Sequence, residues 1–357
     1  MITNSEAREY DVIEVTNEMP VNRKGGVGSV IENLASGFRS LGVKALWFML
    51  DHNYRDFEVE RILAEFPDIT IGSYNELSLF KAPIFHLHIY QHDPLLLQYI
   101  LSKKAVLTIH SLLVCEAQSN GIDLSRSIRQ QETLITACNK VVLVSHSELQ
   151  NYYKYSYHKL NPNVTVIHNG LRDRGSYKEQ HNNKIIGYCG RLVPRKRPEY
   201  VQMVLTEKGF SNYSVMIAGR GFSHYARNLL LDLKIQDRGR FLGWCGRDRL
   251  ESFYNAIDLM AIPSTYEPFG MIALEAVIRG IPIVCNRVGG LSEILGDYAF
   301  YSENDTYESF REAMKMWLKA DREKIKAITR GALQRYYQSF TDIIMAQKYL
   351  NLFRNFA

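Results

Sequence analysis

The sequence lacks long apolar runs, paired cysteines and an apolar leader. No uninterrupted apolar stretch approaches the roughly 20 residues that a membrane-spanning helix requires. The first ten residues, MITNSEAREY, lack the apolar core of a signal peptide. The five cysteines are odd in number, widely scattered and without a CxxC pair, which argues against a disulfide framework or a zinc site. We therefore expect a cytoplasmic protein whose thiols are reduced and mostly buried.

The distribution of charge separates the two halves of the chain. The 357 residues are 46% hydrophobic and 23% charged, as in ordinary globular proteins, and the length suits two domains. Residues 1–169 carry 15 Lys+Arg against 18 Asp+Glu, and the remainder carries 28 against 20. A basic second half predicts an anionic ligand, which on charge alone is a nucleotide, a nucleic acid or a membrane surface.

Short β-rich segments alternate with amphipathic segments of helical length, which is typical of parallel sheets covered by crossover helices. Val27, Val30, Ile31, Leu34, Phe38 and Leu41 recur at helical spacing, so a helix follows the first strand. The predicted strands are Asp11–Val15, Ala45–Leu50, Ile84–His88, Ala105–Thr108, Val141–Val144, Val164–Ile167, Lys184–Tyr188, Ser214–Ala218, Leu259–Ile262 and Ile281–Val284.

A polar stretch, GSYKEQHNNK, follows Asn169-Gly170 and has no apolar face to bury. We place the domain boundary there, which gives an N-terminal domain of residues 1–169 and a C-terminal domain of residues 170–340. The last amphipathic segment, within residues 341–357, packs back on one of the two domains.

A glycine-rich segment, Lys24-Gly25-Gly26-Val27-Gly28-Ser29, is expected in the loop between the first strand and the first helix. Glycines let the backbone approach a ligand closely, and free N–H groups at a helix start attract anions and hydroxyl oxygens. The segment does not fit the dinucleotide-binding pattern GxGxxG, because its spacing differs and the strand ends too early. The glycines either admit a ligand or form a tight turn.

Four basic side chains lie within seven residues after the strand that opens the second half: Arg191, Arg195, Lys196 and Arg197. They follow the carboxyl end of a parallel strand, where α/β folds bind ligands, and could clamp a diphosphate. The alternative is a solvated basic loop.

The segment from Ser264 to Ala276 carries the strongest signal. Glu267 stands in the loop after a strand, Pro268-Phe269-Gly270 lead into a helix, and Glu275 lies about one turn inside that helix. Carboxylates at an amide-rich helix start are acceptors for sugar and ribose hydroxyls. The alternative is that both glutamates only stabilise the helix dipole.

The spacing from Glu267 to Glu275 resembles the E-x7-E signature of retaining glycosyltransferases of family four. These have the GT-B fold, in which two Rossmann-like parallel-sheet domains face each other across a cleft. Further matches fall in the family's order: the Gly-Gly-Val-Gly segment, His110, Asn169-Gly170, Arg191 with Lys196, Ala218-Gly219, Phe241-Leu242-Gly243, and Val288-Gly289-Gly290 with Glu293. The chain departs from the family at Ser111 and at Leu171-Arg172, which concern the acceptor and the hinge more than the donor.

The resemblance implies that Arg191 and Lys196 hold the donor's diphosphate, Glu275 the ribose and Glu267 the transferred sugar. It places His110 at the reacting face. It also implies transfer without a metal or cofactor, because basic side chains and amides neutralise the leaving diphosphate. The implied catalytic residues are His110, Arg191, Lys196 and Glu267, and the implied donor-binding residues are Gly26, Gly28, Gly219, Leu242, Phe269, Gly270, Met271 and Glu275.

Three histidines, His86, His88 and His92, could suggest a metal site. Their spacing along one strand, with no carboxylate nearby beyond Asp93, instead favours histidines of the core or of an acceptor cleft.

The leading hypothesis is a retaining glycosyltransferase that moves a sugar from a nucleotide-diphosphate donor, a UDP-sugar on family frequency, to a hydroxyl acceptor. The acceptor is a glycan, a lipid-linked sugar or a small molecule. Alternatives are a non-catalytic nucleotide-sugar or anionic-surface binding protein, or a sugar-nucleotide epimerase or phosphorylase. The sequence shows no aromatic-basic RNA motif and no DNA-reading helix, so we expect no nucleic-acid partner, while peripheral membrane contact stays open.

Overall fold

The computed structural model describes residues 9–18, 26–50, 60, 64, 69–90, 92, 94–175, 177, 183–221, 224–235 and 238–356. The chain forms two compact units. The first comprises Met1–Cys115, Asp123–Arg172 and Phe340–Ala357, and the second comprises Glu116–Ile122 and Asp173–Ser339. The predicted glycine-rich residues Lys24 and Gly25 lie outside the described residues, as does most of the polar stretch after Gly175.

The first unit contains a parallel seven-stranded sheet with the order β3-β2-β1-β4-β5-β6-β7. Its strands are β1 (Val12–Thr16), β2 (Ala45–Leu50), β3 (Ile69–Gly72), β4 (Ile84–His88), β5 (Ala105–Ile109), β6 (Lys140–Leu143) and β7 (Val164–Val166). The helices that alternate with them along the chain are α1 (Gly26–Ser40), α2 (Tyr74–Leu77), α3 (Pro94–Leu101), α4 (Leu113–Asn120), α5 (Ser125–Ala137) and α6 (His146–Lys154), followed by a 3-10 turn, Tyr157–Lys159. Of α4, the residues from Glu116 onward belong to the second unit.

The second unit contains a parallel six-stranded sheet with the order β10-β9-β8-β11-β12-β13. Its strands are β8 (Ile185–Cys189), β9 (Ser214–Ala218), β10 (Gly239–Gly243), β11 (Leu259–Ile262), β12 (Ile283–Asn286) and β13 (Phe300–Ser302). Its helices are α7 (Pro198–Met203), α8 (His224–Ile235), α9 (Arg247–Ala256), α10 (Met271–Val277), α11 (Gly289–Leu295), α12 (Tyr307–Lys319) and α13 (Arg322–Ser339), with 3-10 turns Pro194–Lys196 and Val204–Thr206.

The final helix, α14 (Asp342–Arg354), belongs to the first unit and packs against α1. The two helices approach closely at Gly37, where an added Cβ would lie 2.5 Å from the carbonyl oxygen of Asp342. Residues 170–172 also belong to this unit, because Leu171 forms a bridge with Thr341. The partition therefore lies three residues beyond the division after Asn169 that the sequence suggested.

The predicted strands are confirmed to within two residues at each end, and three short strands, β3, β10 and β13, were not predicted. One placement was wrong: Gly26 and Gly28 lie in the first turn of α1 and not in a loop before it. Gly28 is buried, as are Ile31 and Ala35 on the same helix face, so the apolar face reaches back through the glycines.

All five cysteines are free thiols, and four of them are buried, as expected. Within the described part of the chain, no helix combines the length and the apolarity needed to cross a membrane.

Candidate functional site

The second sheet has a topological switch point between β8 and β11. The chain adds β9 and β10 on one side of β8, and β11, β12 and β13 on the other. Open parallel sheets bind ligands at the carboxyl ends of the strands beside such a point, because the two crossover connections diverge there and leave a crevice. Lys196 follows β8 and Glu267 follows β11, so the two residues predicted from separate motifs flank this crevice.

The side chains of Lys196 and Glu267 form an ion pair there. Their exposed fractions are 13% and 10%, so the pair is largely removed from water. Burial lowers the pKa of Lys196 to about 8, although the negative charge of Glu267 acts to raise it. Burial by itself would raise the pKa of Glu267, but the charges of Lys196 and Arg195 hold it below 4.5. Near neutral pH the crevice therefore holds an ammonium and a carboxylate that sustain each other's charge.

The loop that carries Glu267 is held by polar contacts from β12. The side-chain amide of Asn286, which is buried, donates to the carbonyl oxygens of Pro263 and Ser264, both at 3.0 Å. The Ser264 side chain in turn hydrogen-bonds Glu267. These contacts fix the backbone of the loop, so the carboxylate is presented from a rigid support.

Gly289 allows the next turn to pack directly on Glu267. Its φ is 53°, and an added Cβ would lie 1.9 Å from the Glu267 carbonyl oxygen. The neighbouring amide of Gly290 donates to that same oxygen at 3.0 Å. Gly290 is required by a second close approach, because an added Cβ there would lie 2.3 Å from the carbonyl oxygen of Phe269.

Two arginines of the basic segment reach Glu116, which belongs to the second unit. Glu116 Oε1 accepts from Nη2 of Arg191 at 3.0 Å and from Nη2 of Arg195 at 3.2 Å. The Arg191 side chain is 56% exposed and that of Arg195 only 3%. Arg195 also donates from Nη1 to the carbonyl oxygen of Tyr266 at 2.8 Å. Arg195 thus anchors the chain beside Glu267, whereas Arg191 is accessible to a ligand.

Glu275 lies on α10, and Tyr254 from α9 donates its hydroxyl hydrogen to the Glu275 carboxylate. Burial raises the pKa of Tyr254 strongly, and the charge of Glu275 adds to this effect, so the phenol remains a donor. The thiol of Cys189 interacts electrostatically with both Glu275 and Lys196, and burial raises its pKa as well. Cys189, the last residue of β8, is therefore close to both the predicted ribose contact and the predicted diphosphate contact.

Phe269, Gly270 and Met271 form the turn from Glu267 into α10, as the sequence predicted. Phe269 is 3% exposed and Met271 9% exposed, so their side chains face the core and only their backbone could meet a ligand.

Gly219 and Leu242 lie at the ends of neighbouring strands. Gly219 has a φ of 148°, and an added Cβ would lie 1.8 Å from the carbonyl oxygen of Gly190. The Gly219 amide donates to the Gly243 carbonyl oxygen at 2.8 Å. Leu242 is half-buried on β10, and its carbonyl oxygen accepts from Arg249 at 3.2 Å. Both predicted residues thus lie at the carboxyl edge of the second sheet.

The predicted reacting-face residue His110 follows β5 in the first unit. Its Nε2 lies 2.9 Å from Nδ1 of His88, a buried residue that contacts Glu14 on β1. Burial lowers the pKa of His110 well below 6.5, and the charges of His88 and His86 add to this. His86 and His88 are core histidines whose ring nitrogens bond the Glu14 carboxylate, as the sequence analysis favoured.

Several residues that shape these sites were not predicted from the sequence: Glu14, Glu116, Tyr254 and Asn286. A carboxylate inside the apolar strand Val12–Thr16 was the one available signal, because a charged residue is rarely buried without a partner. Arg195 was noted only as part of the basic run.

Comparison with known proteins gives a family match that lies within the second half of the chain. Residues 171–335 match the family model described as "Glycosyl transferases group 1". An uncharacterized glycosyltransferase of Methanocaldococcus jannaschii is 31% identical over 216 residues, which cover 56% of this chain and 55% of that protein. D-inositol 3-phosphate glycosyltransferase of Mycolicibacterium vanbaalenii is 30% identical over 199 residues, covering 48% and 43%. The chain spans about half the length of these curated relatives.

Solved structures resemble nearly the whole chain. HepE of Anabaena, in complex with UDP and glucose, has a TM-score of 0.75 at 17% identity and covers 96% of this chain and 99% of its own. Sucrose-phosphate synthase of Thermosynechococcus elongatus has a TM-score of 0.75 at 17% identity, covering 96% and 98%. At this identity the likeness shows the fold, which is GT-B with two Rossmann-like parallel-sheet units. The family match and the relatives support a glycosyltransferase.

Proposed function

We propose that this chain is a retaining glycosyltransferase that transfers a sugar from a nucleotide-diphosphate donor, a UDP-sugar, to a hydroxyl acceptor. The observation that carries the proposal is the buried ion pair of Lys196 and Glu267 at the switch point of the second sheet. A buried ion pair is costly unless both charges have further partners. A nucleotide-sugar supplies both: its diphosphate is a partner for the ammonium, and the hydroxyls of its sugar are donors to the carboxylate.

Lys196 and Arg191 would bind the donor diphosphate. The exposed guanidinium of Arg191 offers a bidentate contact to phosphate oxygens, and the Lys196 ammonium offers a buried charge. As the bond to the anomeric carbon breaks, negative charge grows on the leaving diphosphate, so both cations stabilise the transition state more than the ground state.

The two glutamates would bind hydroxyls. Glu267 accepts from hydroxyls of the transferred sugar, and Glu275 accepts from the ribose, each as an ionised, acceptor-only carboxylate. Positive charge that develops on the sugar is stabilised by the Glu267 carboxylate, which the fold keeps ionised. The acceptor hydroxyl then attacks the anomeric carbon from the face that the leaving group vacates, its proton passes to the departing diphosphate oxygen, and the configuration is retained.

We propose that the reaction needs no metal, because the basic side chains already offset the diphosphate charge. Turnover should therefore be unchanged by EDTA. Loss of turnover in EDTA and recovery with Mg²⁺ or Mn²⁺ would contradict this part of the proposal.

The test begins with thermal shift on the purified chain with UDP-, GDP-, ADP- and TDP-sugars, because a donor that binds the folded state raises the melting temperature. UDP-sugars should give the largest shift. Transfer is then measured with an acceptor panel that includes D-inositol 3-phosphate, since relatives carry that name. Proton NMR of the product's anomeric centre reports its configuration, and an inverted product would contradict retention.

Lys196→Met should abolish transfer and reduce the donor-induced shift. The matched control is Lys315→Met, which removes a lysine paired with Glu312 at 3.0 Å on the surface of the same unit. Donor binding without transfer or hydrolysis under all acceptors would favour the non-catalytic binding protein. Equal activity of the two variants would remove Lys196 from the site.

A further inference from the structure

A buried polar chain crosses the switch point of the first sheet. The sheet order places β1 beside β4 and β4 beside β5, and the chain diverges on either side of β1 and β4. Glu14 on β1 is fully buried, and so are His86 and His88 on β4. Such groups are costly inside a sheet unless each is hydrogen-bonded, and here each has a partner.

The carboxylate of Glu14 fixes where the histidines carry their protons. Glu14 Oε2 lies 2.8 Å from Nδ1 of His86 and 2.8 Å from Nε2 of His88. Burial would raise the pKa of Glu14, but the two histidines hold it below 4.5, so the group is an anion. An ionised carboxylate only accepts hydrogen bonds, so both of these ring nitrogens carry hydrogen.

The remaining nitrogen of His88 faces His110. Burial lowers the pKa of His88 to about 4, with the charge of His86 adding to this effect, so the ring is neutral near pH 7. A neutral His88 with hydrogen on Nε2 has only a lone pair on Nδ1. That lone pair lies 2.9 Å from Nε2 of His110, so the hydrogen between the two rings belongs to His110.

The other arm of the cluster does not alter this assignment. His86 Nε2 bonds the Thr108 hydroxyl at 2.7 Å, and that hydroxyl bonds the Tyr349 hydroxyl of α14 at 2.9 Å. Both hydroxyls can rotate to donate or to accept, so this arm is satisfied whether or not His86 carries a second hydrogen. In either state His86 donates from Nδ1 to Glu14.

We propose that Glu14 and His88 are positioning residues that hold His110 as the Nε2–H tautomer, so that its Nδ1 presents a lone pair to a substrate hydroxyl. His110 is partly exposed and follows the carboxyl end of β5, the edge at which parallel sheets bind ligands. Among the described residues, none hydrogen-bonds Nδ1. The acceptor role toward a hydroxyl rests on the proposed glycosyltransferase function, whereas the tautomer stands on the geometry of the first unit.

The tautomer can be read without any activity. Long-range proton–nitrogen correlation spectra of protein labelled with ¹⁵N-histidine distinguish a ring nitrogen that bears hydrogen from one that does not. The signal of His110 is assigned by its loss in His110→Gln. At pH 7 we expect hydrogen on Nε2 and none on Nδ1. Hydrogen on Nδ1 of His110 in the wild-type protein would overturn the inference, whatever the enzyme's activity.

Glu14→Met keeps the length of the side chain but removes the oxygen that accepts from both His86 Nδ1 and His88 Nε2. Nothing then holds the hydrogen of His88 on Nε2, so His88 can carry it on Nδ1 and donate it to His110, whose own hydrogen then moves from Nε2 to Nδ1. The spectrum should show hydrogen on Nδ1 of His110 in a substantial fraction of the molecules, and kcat for transfer should fall several-fold while KM for the donor changes far less, since in those molecules Nδ1 of His110 no longer accepts from the substrate hydroxyl.

The matched control is Tyr349→Phe, which removes a buried hydroxyl from the arm that ends on His86. It should lower the melting temperature but leave the His110 tautomer and kcat as in the wild type. If Glu14→Met stays folded and His110 keeps the wild-type tautomer throughout, Glu14 does not act on His110 and the proposal fails. If the tautomer reverses with kcat unchanged, His110 does not receive a reacting hydroxyl, and its proposed role is wrong.

Discussion

Donor capture should weaken in alkaline solution because Lys196 loses its proton. Burial lowers the pKa of this ammonium from 10.5 to about 8, even with Glu267 beside it. About nine-tenths of the molecules carry the charge at pH 7, and about one-tenth at pH 9. A donor diphosphate that needs the ammonium must then bind together with a proton. Hence kcat/KM for the donor should fall about tenfold per pH unit above about 8.

The effect on kcat should differ. A bound diphosphate places negative charge beside Lys196, which raises the pKa of the ammonium again. At saturating donor, turnover should therefore persist to a higher pH than kcat/KM does. The neighbouring thiol of Cys189 does not cause the alkaline fall in kcat/KM, because burial raises the pKa of the thiol far above the pH range of the assay.

The assay is the initial rate of transfer between pH 6.5 and 9.5 at limiting and at saturating donor. The Lys196→Arg variant keeps a positive charge over the whole pH range, so its kcat/KM should no longer fall at alkaline pH, even if the value at neutral pH is lower than in the wild type. Lys315→Arg, a change at a surface lysine, should show the same alkaline fall in kcat/KM as the wild type. A profile that stays flat to pH 9.5 in the wild type, or an unchanged alkaline fall in Lys196→Arg, would refute this reasoning.

Three further outcomes test other contacts. Glu275→Gln should weaken donor binding by about 1.5–3 kcal/mol in calorimetric titration, because ribose hydroxyls lose a charged acceptor; unchanged affinity would exclude the ribose role. Gly289→Ala should lower the free energy of unfolding by about 1–3 kcal/mol or more, because φ is 53° and the added Cβ would lie 1.9 Å from a carbonyl oxygen. The control Gly246→Ala, whose Cβ would have its nearest contact 3.9 Å away, should have a melting temperature near that of the wild type. Gly37→Ala should destabilise the first unit in denaturant unfolding despite alanine's higher helix propensity, because the methyl group would lie 2.5 Å from the Asp342 carbonyl oxygen; a more stable variant would show that α1 and α14 can separate without cost.

Hydrophobic patterning was sufficient for the central strands of both sheets. Segments such as Ala45–Leu50 and Leu259–Ile262 are apolar throughout, because strands buried on both faces need no polar alternation. The three strands that the pattern did not predict, β3, β10 and β13, all lie at sheet edges. Gly239–Gly243 shows why: an edge strand pairs on one side only, so it tolerates glycine, arginine and exposure.

The sequence also located the chemical groups of the candidate site. Lys196, Glu267 and Glu275 could be singled out because basic and acidic residues followed predicted strands at the edge where ligands bind. Their charge states could not be predicted in this way. The lowered pKa of Lys196 depends on burial and on a carboxylate 71 residues away along the chain.

Tertiary structure alone decided which residues support those groups. Asn286 holds the loop of Glu267 from the next strand of the sheet, and Tyr254 reaches Glu275 from another helix. In the first unit, Glu14 and His88 are separated by 74 residues and meet because β1 and β4 pair in register. A sequence determines which strands are buried through its local pattern, but hydrogen bonds between distant strands depend on sheet order and register, which no local pattern contains.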